Sequence, residues 1–223
     1  MTDLHNNEEP DRRNRAGGRP RKGEAALRKN HLIATAAELF LARGYHHVSL
    51  ALIAREARVA VRTIYLDFGG KAGLFGAVLQ EERLRYLDDA KTLDPAASIP
   101  AVLASFGLRH LLFLADSRVT RLRHMVLAET DTNPELTQAW RDAGPTHTSN
   151  LLAVYFNDPR VRTQLRPDIP LDLLPTHFIS CIAGEYLWPA FSSCPPTGHR
   201  TLTQLFEARL TFFLRSVLTA AGG

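Results

Sequence analysis

Residues 49–70 read SLALIAREARVAVRTIYLDFGG, and this stretch decides the fold. Ser49 is a good N-cap for a helix over about 50–57, because its hydroxyl can accept from the free N–H groups of a first turn. Val59-Ala60 opens a second short helix over about 61–67, and Gly69-Gly70 closes it. Only Arg58-Val59-Ala60 separates the two. At this spacing Ile53, Ala54, Ala57, Val59, Ile64 and Phe68 can meet as one small core. The second helix then stands proud, with Val61, Arg62, Thr63, Tyr65 and Leu66 facing outward. Two short helices joined by a tight turn make a helix-turn-helix pattern, here over about 49–68. The same spacing also suits a plain αα-hairpin.

The flanks continue the helical reading. Upstream, Ile33, Ala36, Ala37 and Phe40 recur at i, i+3, i+4 and i+7, one face of a helix that Arg43-Gly44 ends. Downstream, Lys71 begins a helix running to about residue 90, with Leu74, Phe75, Val78 and Leu79 on its apolar side. Residues 21–94 contain no proline and residues 95–196 contain 11, so Asp94-Pro95 reads as a junction. Beyond it, helical periodicity returns at about 98–115, 118–130, 135–156, 172–188 and 200–219. Gly144-Pro145 should kink or break the third of these, and Asp172 can cap the fourth. Alternating β patterns of useful length are absent. The expected fold class is all-α, about nine helices. It divides into a disordered basic arm (1–23), a helix-turn-helix domain (24–71) and a larger helical domain (72–223), with the 71–90 helix as connector.

Composition narrows the class. The chain has 223 residues, 45% of them apolar and 22% charged, enough for a packed core without staples. Two cysteines, Cys181 and Cys194, exclude a disulfide scaffold and fit a reducing compartment. Residues 1–23 lack the apolar core of a secretory signal, and no apolar run is long enough to span a membrane. The expectation is a cytoplasmic protein. Residues 11–71 hold 13 Arg/Lys against 5 Asp/Glu, whereas residues 72–223 hold 14 against 15. The basic charge is therefore confined to one segment. A localised basic footprint suggests a polyanion, nucleic acid first and an anionic membrane surface second, although a solvated basic tail has the same composition. A helix of this size fits the major groove of double-stranded DNA, and the Arg62 guanidinium can bond guanine O6 and N7 together.

The run IATAAELFLARGYHHVSLALIAREARVAVRTIYLDFGGKAGLF resembles the N-terminal domain of the tetracycline-repressor (TetR) family. The matching positions include Ala36-Ala37, Leu39-Phe40, Gly44, Ser49, Ile53-Ala54, Ala57, Val59, Thr63, Tyr65, Phe68, Lys71 and Leu74-Phe75. The resemblance implies an all-helical homodimer whose N-terminal helices bind a palindromic operator. Its C-terminal domain would take a small effector and dimerise through its last two helices. Carried over position by position, Ser49, Arg62, Thr63, Tyr65 and Lys71 are implied DNA contacts, with Tyr65 and Lys71 on phosphates. Three positions depart from the family pattern: Arg58 where Gly is usual, Ala60 where Ser or Thr caps, and Asp67 where His or Tyr is common. Arg58 could itself reach a phosphate. In the arm, Gly18-Arg19-Pro20-Arg21-Lys22 resembles an AT-hook core, which would place Arg19, Arg21 and Lys22 in a minor groove.

The C-terminal half resembles the AefR-like branch of the family through Glu129, Pro134-Glu135-Leu136, Gly144-Pro145, Phe178 and Gly184. Phe106, His110, Phe113, Trp140, His147, Tyr155, Phe178 and Trp188 are candidates for an effector pocket, and aromatic residues at helical spacing serve equally as core. On the last helix Phe206, Leu210, Phe213 and Val217 form a stripe; with Ala183 and Gly184 it is the expected dimer interface, or else the face of a buried core helix. The nine histidines show no zinc-ligand spacing, and no phosphate loop, nucleophile elbow or paired carboxylate set appears. No metal, cofactor or enzymatic activity is expected. The reading is a DNA-binding transcriptional regulator, a repressor released by an effector. The alternative is a helical ligand-binding or enzymatic protein whose basic segment reads no DNA.

Overall fold

The computed structural model describes residues 22–87, 93–187 and 201–219. Arg19, Arg21, Trp188 and Cys194 lie outside the described residues, as does the side chain of Lys22. Four helices open the chain: α1 (Lys22–Arg43), α2 (Leu50–Glu56), α3 (Val61–Phe68) and α4 (Lys71–Leu84). Helix α1 starts at Lys22, so the last two residues of the expected arm are helical. Its apolar face buries Leu32, Ile33, Ala36, Ala37 and Phe40, and Gly44 ends it at φ 78°. Rings of Phe40, Tyr45 and Phe75 meet with centroids 5.4–5.5 Å apart at the centre of this unit. Ile53, Ala54, Ala57, Ile64, Leu74 and Val78 close around them. Leu122, Val126 and Leu136 belong to the same cluster, so the helix-turn-helix core is continuous with the C-terminal helices. Helix α4 ends at Leu84, six residues short of the sequence expectation.

Seven helical segments follow: α5 (Ile99–Ala115), α6 (Ser117–Ala128), α7 (Pro134–Arg141), α8 (His147–Asn157), α9 (Pro159–Arg162), α10 (Leu174–Ala183) and α11 (Leu202–Val217). The expected break at Gly144-Pro145 is a π turn (Asp142–Thr146) joining α7 to α8. There the widened turn accommodates a proline that an α-helix interior would reject. Asp172 does not cap α10; Leu173 holds that position without a side-chain bond, and Pro175 sits in the first turn. A short 3-10 turn (Gly184–Leu187) follows α10. Thr201 and Gln204 form a capping box at the start of α11. Its end is tied by Arg166 N–H donating to the Val217 carbonyl at 2.9 Å and Thr219 N–H to that of Gln164 at 3.0 Å.

Helices α5, α8, α10 and α11 pack around Phe106, Leu152, Phe156, Phe178 and Phe213. Gly107 allows a close approach: a Cβ there would lie 2.8 Å from Phe206 and 3.2 Å from Phe178. The stripe Phe206, Leu210, Phe213 and Val217 points into this core, and Ala183 is fully buried in a second cluster with Leu79 and Phe113. Those residues are therefore not a surface for a second copy, which corrects the sequence expectation. The apolar stripe of α11 finds its partner inside the same chain. Its outward side carries Thr203, Glu207, Ala208, Thr211, Phe212 and Arg215, with Phe212 70% exposed.

Candidate nucleic-acid interface and effector cavity

The α2–α3 turn is built as its residues require. Ser49 Oγ accepts from the Leu52 N–H at 3.1 Å and caps α2. The Val59 N–H then reaches back to the Ala54 carbonyl at 2.9 Å, which demands a reversal at residue 58. Arg58 makes it with φ 56°, the left-handed region where a residue with Cβ is strained. Ala60 occupies the N-cap of α3 in extended conformation and offers no side-chain acceptor. Ile64 is fully buried and anchors α3; Val61, Arg62, Tyr65 and Leu66 are exposed along one side, Leu66 at 74%.

Two residues sit apart from that side. Thr63 is half-buried and lines a cleft against α1 with Arg28, Lys29, Arg58 and Asp67. Asp67, one turn beyond Thr63, thus lies among cations and away from the Arg62 edge. Lys71 holds its Nζ 4.1 Å from the Tyr45 ring centroid. Burial lowers its pKa, with Glu129 opposing, while the Tyr45 hydroxyl is pushed up to about 12 chiefly by burial. The Tyr65 ring lies against Gly70, at the start of α4.

Helix α4 is fastened at both ends. A Cβ on Gly73 would fall 1.8 Å from the Phe68 carbonyl oxygen, so the first turn of α4 rests directly on the last turn of α3. At the other end, buried Glu82 accepts from Arg118 Nε at 2.8 Å and from Arg85 Nη1 at 2.7 Å. Arg118 also donates Nη2 to Glu38 of α1 at 2.9 Å, which clasps α1, α4 and α6. These bonds raise the pKa of both arginines. Asp116 caps α6 through the N–H groups of Arg118 and Val119, and accepts from the Tyr86 hydroxyl at 2.7 Å; these bonds lower its pKa although burial works the other way.

Behind α4 lies a partly enclosed cavity of about 220 Å³ bounded by α4, α5, the end of α7, the π turn, α8 and α10. Its walls are Leu79, Phe113, Leu114, Trp140, Pro145 and Ile179, and Thr148, Ser149, Thr176 and Ser180 also line it. His110 lines it, 5% exposed; burial, then the nearby Arg83 charge, push its imidazole pKa down to about 4. Of the expected pocket residues, His110, Phe113 and Trp140 meet here. Phe106 and Phe178 are sealed in the core, Phe106 stacking on His110 with centroids 5.9 Å apart. Tyr155 and His147 line a separate cleft of about 290 Å³. A wider groove of about 910 Å³ along α4 carries Asp67, Glu81, Glu135 and Asp142 and is open to solvent. Among the described residues no cluster of His, Cys, Asp or Glu suits a metal. Sequence reasoning missed Leu79 and the four hydroxyl residues; the Gly144-Pro145 break was the signal for where a cavity would open.

Residues 32–78 match the family described as bacterial regulatory proteins, tetR family, and residues 101–216 match the AefR-like transcriptional repressor C-terminal domain. The chain belongs to the TetR family. It is a DNA-binding transcriptional regulator. The TetR fold is shared with the flavonoid-responsive regulator FrrA, at 24% identity and TM-score 0.67 over 87% of this chain and 99% of that one. NalD of Pseudomonas aeruginosa, the secondary repressor of the MexAB-OprM multidrug efflux pump, is 20% identical with TM-score 0.60, over 89% and 100% of the two chains. A TetR regulator from Agrobacterium tumefaciens is 17% identical with TM-score 0.62, over 88% and 96%. No curated protein sequence matches the chain. The matched TetR families are regulators and not enzymes. Among the described residues no single helix is long and apolar enough to cross a membrane.

Proposed function

We infer that this TetR-family protein is a homodimeric repressor that leaves a palindromic operator when a small molecule fills the cavity behind α4. Leu79 carries the reading: it is a wall of the cavity and a residue of the helix whose first turn rests on α3. A molecule that needs Leu79 displaced must tilt or slide α4, and α3 moves with it. The Glu38–Arg118–Glu82 clasp resists that motion and defines the rest position. Release requires the effector to bind the DNA-incompetent arrangement more tightly, because equal affinity for both shifts nothing.

On the operator, α3 of each protomer enters one of two major grooves about 34–36 Å apart. Arg62 reads guanine, and the exposed Val61 and Leu66 side chains suit thymine methyl groups. Tyr65 and Lys71 serve phosphates, Arg58 a further one, and Arg19, Arg21 and Lys22 the adjacent minor groove. Ser49 and Thr63 contribute from the helix starts. The two copies pack through the outward face of α11, where Ala208 and Phe212 are exposed. The repressor role of NalD and the flavonoid response of FrrA support this direction of control. The test is a gel shift with the DNA upstream of the protein's own coding region. Binding that outcompetes random DNA supports the reading, and equal affinity for both refutes it.

A further inference from the structure

Resting on the effector reading above, we propose that the cavity behind α4 takes a neutral, single-ring aromatic molecule bearing a hydroxyl group, anchored by a hydrogen bond between that hydroxyl and the His110 imidazole. Size sets the first limit. An apolar cavity of roughly 150 Å³ accepts benzene, so about 220 Å³ holds one ring with one or two small substituents. The walls set the second. Phe113 and Trp140 offer flat aromatic surface, and Leu79, Leu114 and Ile179 complete an apolar lining.

The polar anchor is His110. It is 5% exposed, it lines the cavity, and its Nδ1 makes no hydrogen bond among the described residues. Buried ring nitrogens are rarely left unpaired. The ring is held in place by the parallel Phe106 ring on one side and by Phe113, its centroid 6.0 Å away. With its pKa near 4 the imidazole is uncharged at neutral pH, one nitrogen donating and the other accepting. A hydroxyl can satisfy either, because it both donates and accepts. Among the described residues no carboxylate, ammonium or guanidinium lines the cavity, so an ionised ligand would be desolvated with no charged group in the wall to pair with it.

The test is calorimetric titration of the full chain, without DNA, by 4-methylphenol, toluene and 4-methylbenzoate, three probes of one shape. The expected order places 4-methylphenol about tenfold tighter than toluene, one net hydrogen bond, and 4-methylbenzoate weakest. In His110→Leu, which removes the ring nitrogens and leaves an apolar side chain of similar size, the preference for the phenol over toluene should collapse to near one. The ligand series on the unmodified protein decides the matter even if that variant does not fold. Equal binding of phenol and toluene, tighter binding of the benzoate, or no binding of any probe overturns the proposal. A protein that binds the phenol as expected yet keeps its operator upholds the chemistry of the site and refutes the effector reading, so the two failures are distinct.

Discussion

At the residue scale, Arg58 and His110 are each held in a state costly to the free protein. Arg58 sits in the left-handed region at φ 56°, and Ala60 caps nothing. Replacing Arg58 by Gly should recover roughly 1 kcal/mol of backbone strain, and Ala60→Ser about another 1 kcal/mol of missing cap. The double variant is therefore expected to melt several degrees higher, and a lower melting temperature would refute the strain. Arg58→Gly alone should also weaken operator binding and shallow its salt dependence by about one counterion. His110 affects stability differently. Its folded pKa of about 4 lies below the ordinary 6.5, so the unfolded chain binds an extra proton between those values. Its contribution is unchanged above pH 6.5 and is lost as pH falls toward 4, by about 3 kcal/mol in all. Denaturant curves of the parent and His110→Leu should diverge in slope across that window and run parallel above it.

At the scale of elements, the junction of α3 and α4 is the least tolerant point. A Cβ on Gly73 would meet the Phe68 carbonyl at 1.8 Å, backbone against side chain with nothing flexible to yield. Gly73→Ala should destabilise by roughly 3 kcal/mol or more, or separate the two helices. Gly76→Ala, where the nearest atom is 3.5 Å away, should be nearly neutral. Chemical denaturation of the pair measures the difference; equal effects would mean that α4 does not press on α3. These elements were legible in sequence because local signals mark them: Ser49 as cap, Gly44 and Gly69 as stops, and a face of Ile33, Ala36, Ala37 and Phe40 at helical spacing. The face of α11 was not legible. Phe206, Leu210, Phe213 and Val217 make a stripe that suits a core or a partner equally, and only the packing of α5 and α10 decides between them. Likewise Phe106 lies two turns before Phe113 on the same side of α5, yet only Phe113 reaches the cavity. Periodicity reports which side of a helix is apolar, and says nothing of where the neighbouring helices leave space.

At the scale of the molecule, both symmetry and charge bear on operator binding. Phe213 is fully buried, so a charge there should unfold the protomer, whereas Phe212 is 70% exposed on the proposed interface. Phe212→Glu should leave the melting of the fold nearly intact and yield monomers by sedimentation at micromolar concentration, with operator affinity lost because one half-site offers too few contacts. An undiminished dimer would move the interface elsewhere. In the proposed complex the basic arm would act along with this geometry. Residues 11–21 carry Arg12, Arg13, Arg15, Arg19 and Arg21 just ahead of α1, whose remaining length leads into the unit that carries α3. A chain segment there need not be folded to bind; it needs only to place cations in a groove next to the one α3 occupies. Each phosphate neutralised releases condensed counterions, and log K falls with log salt by about 0.9 per contact. Removing residues 1–21 should therefore shallow the slope by about 2 per protomer if Arg19 and Arg21 both engage. It should leave the melting temperature unchanged, because α1 begins at Lys22 and the core it buries starts at Leu32. A salt titration that gives the same slope with and without the arm would confine DNA contact to the helix-turn-helix.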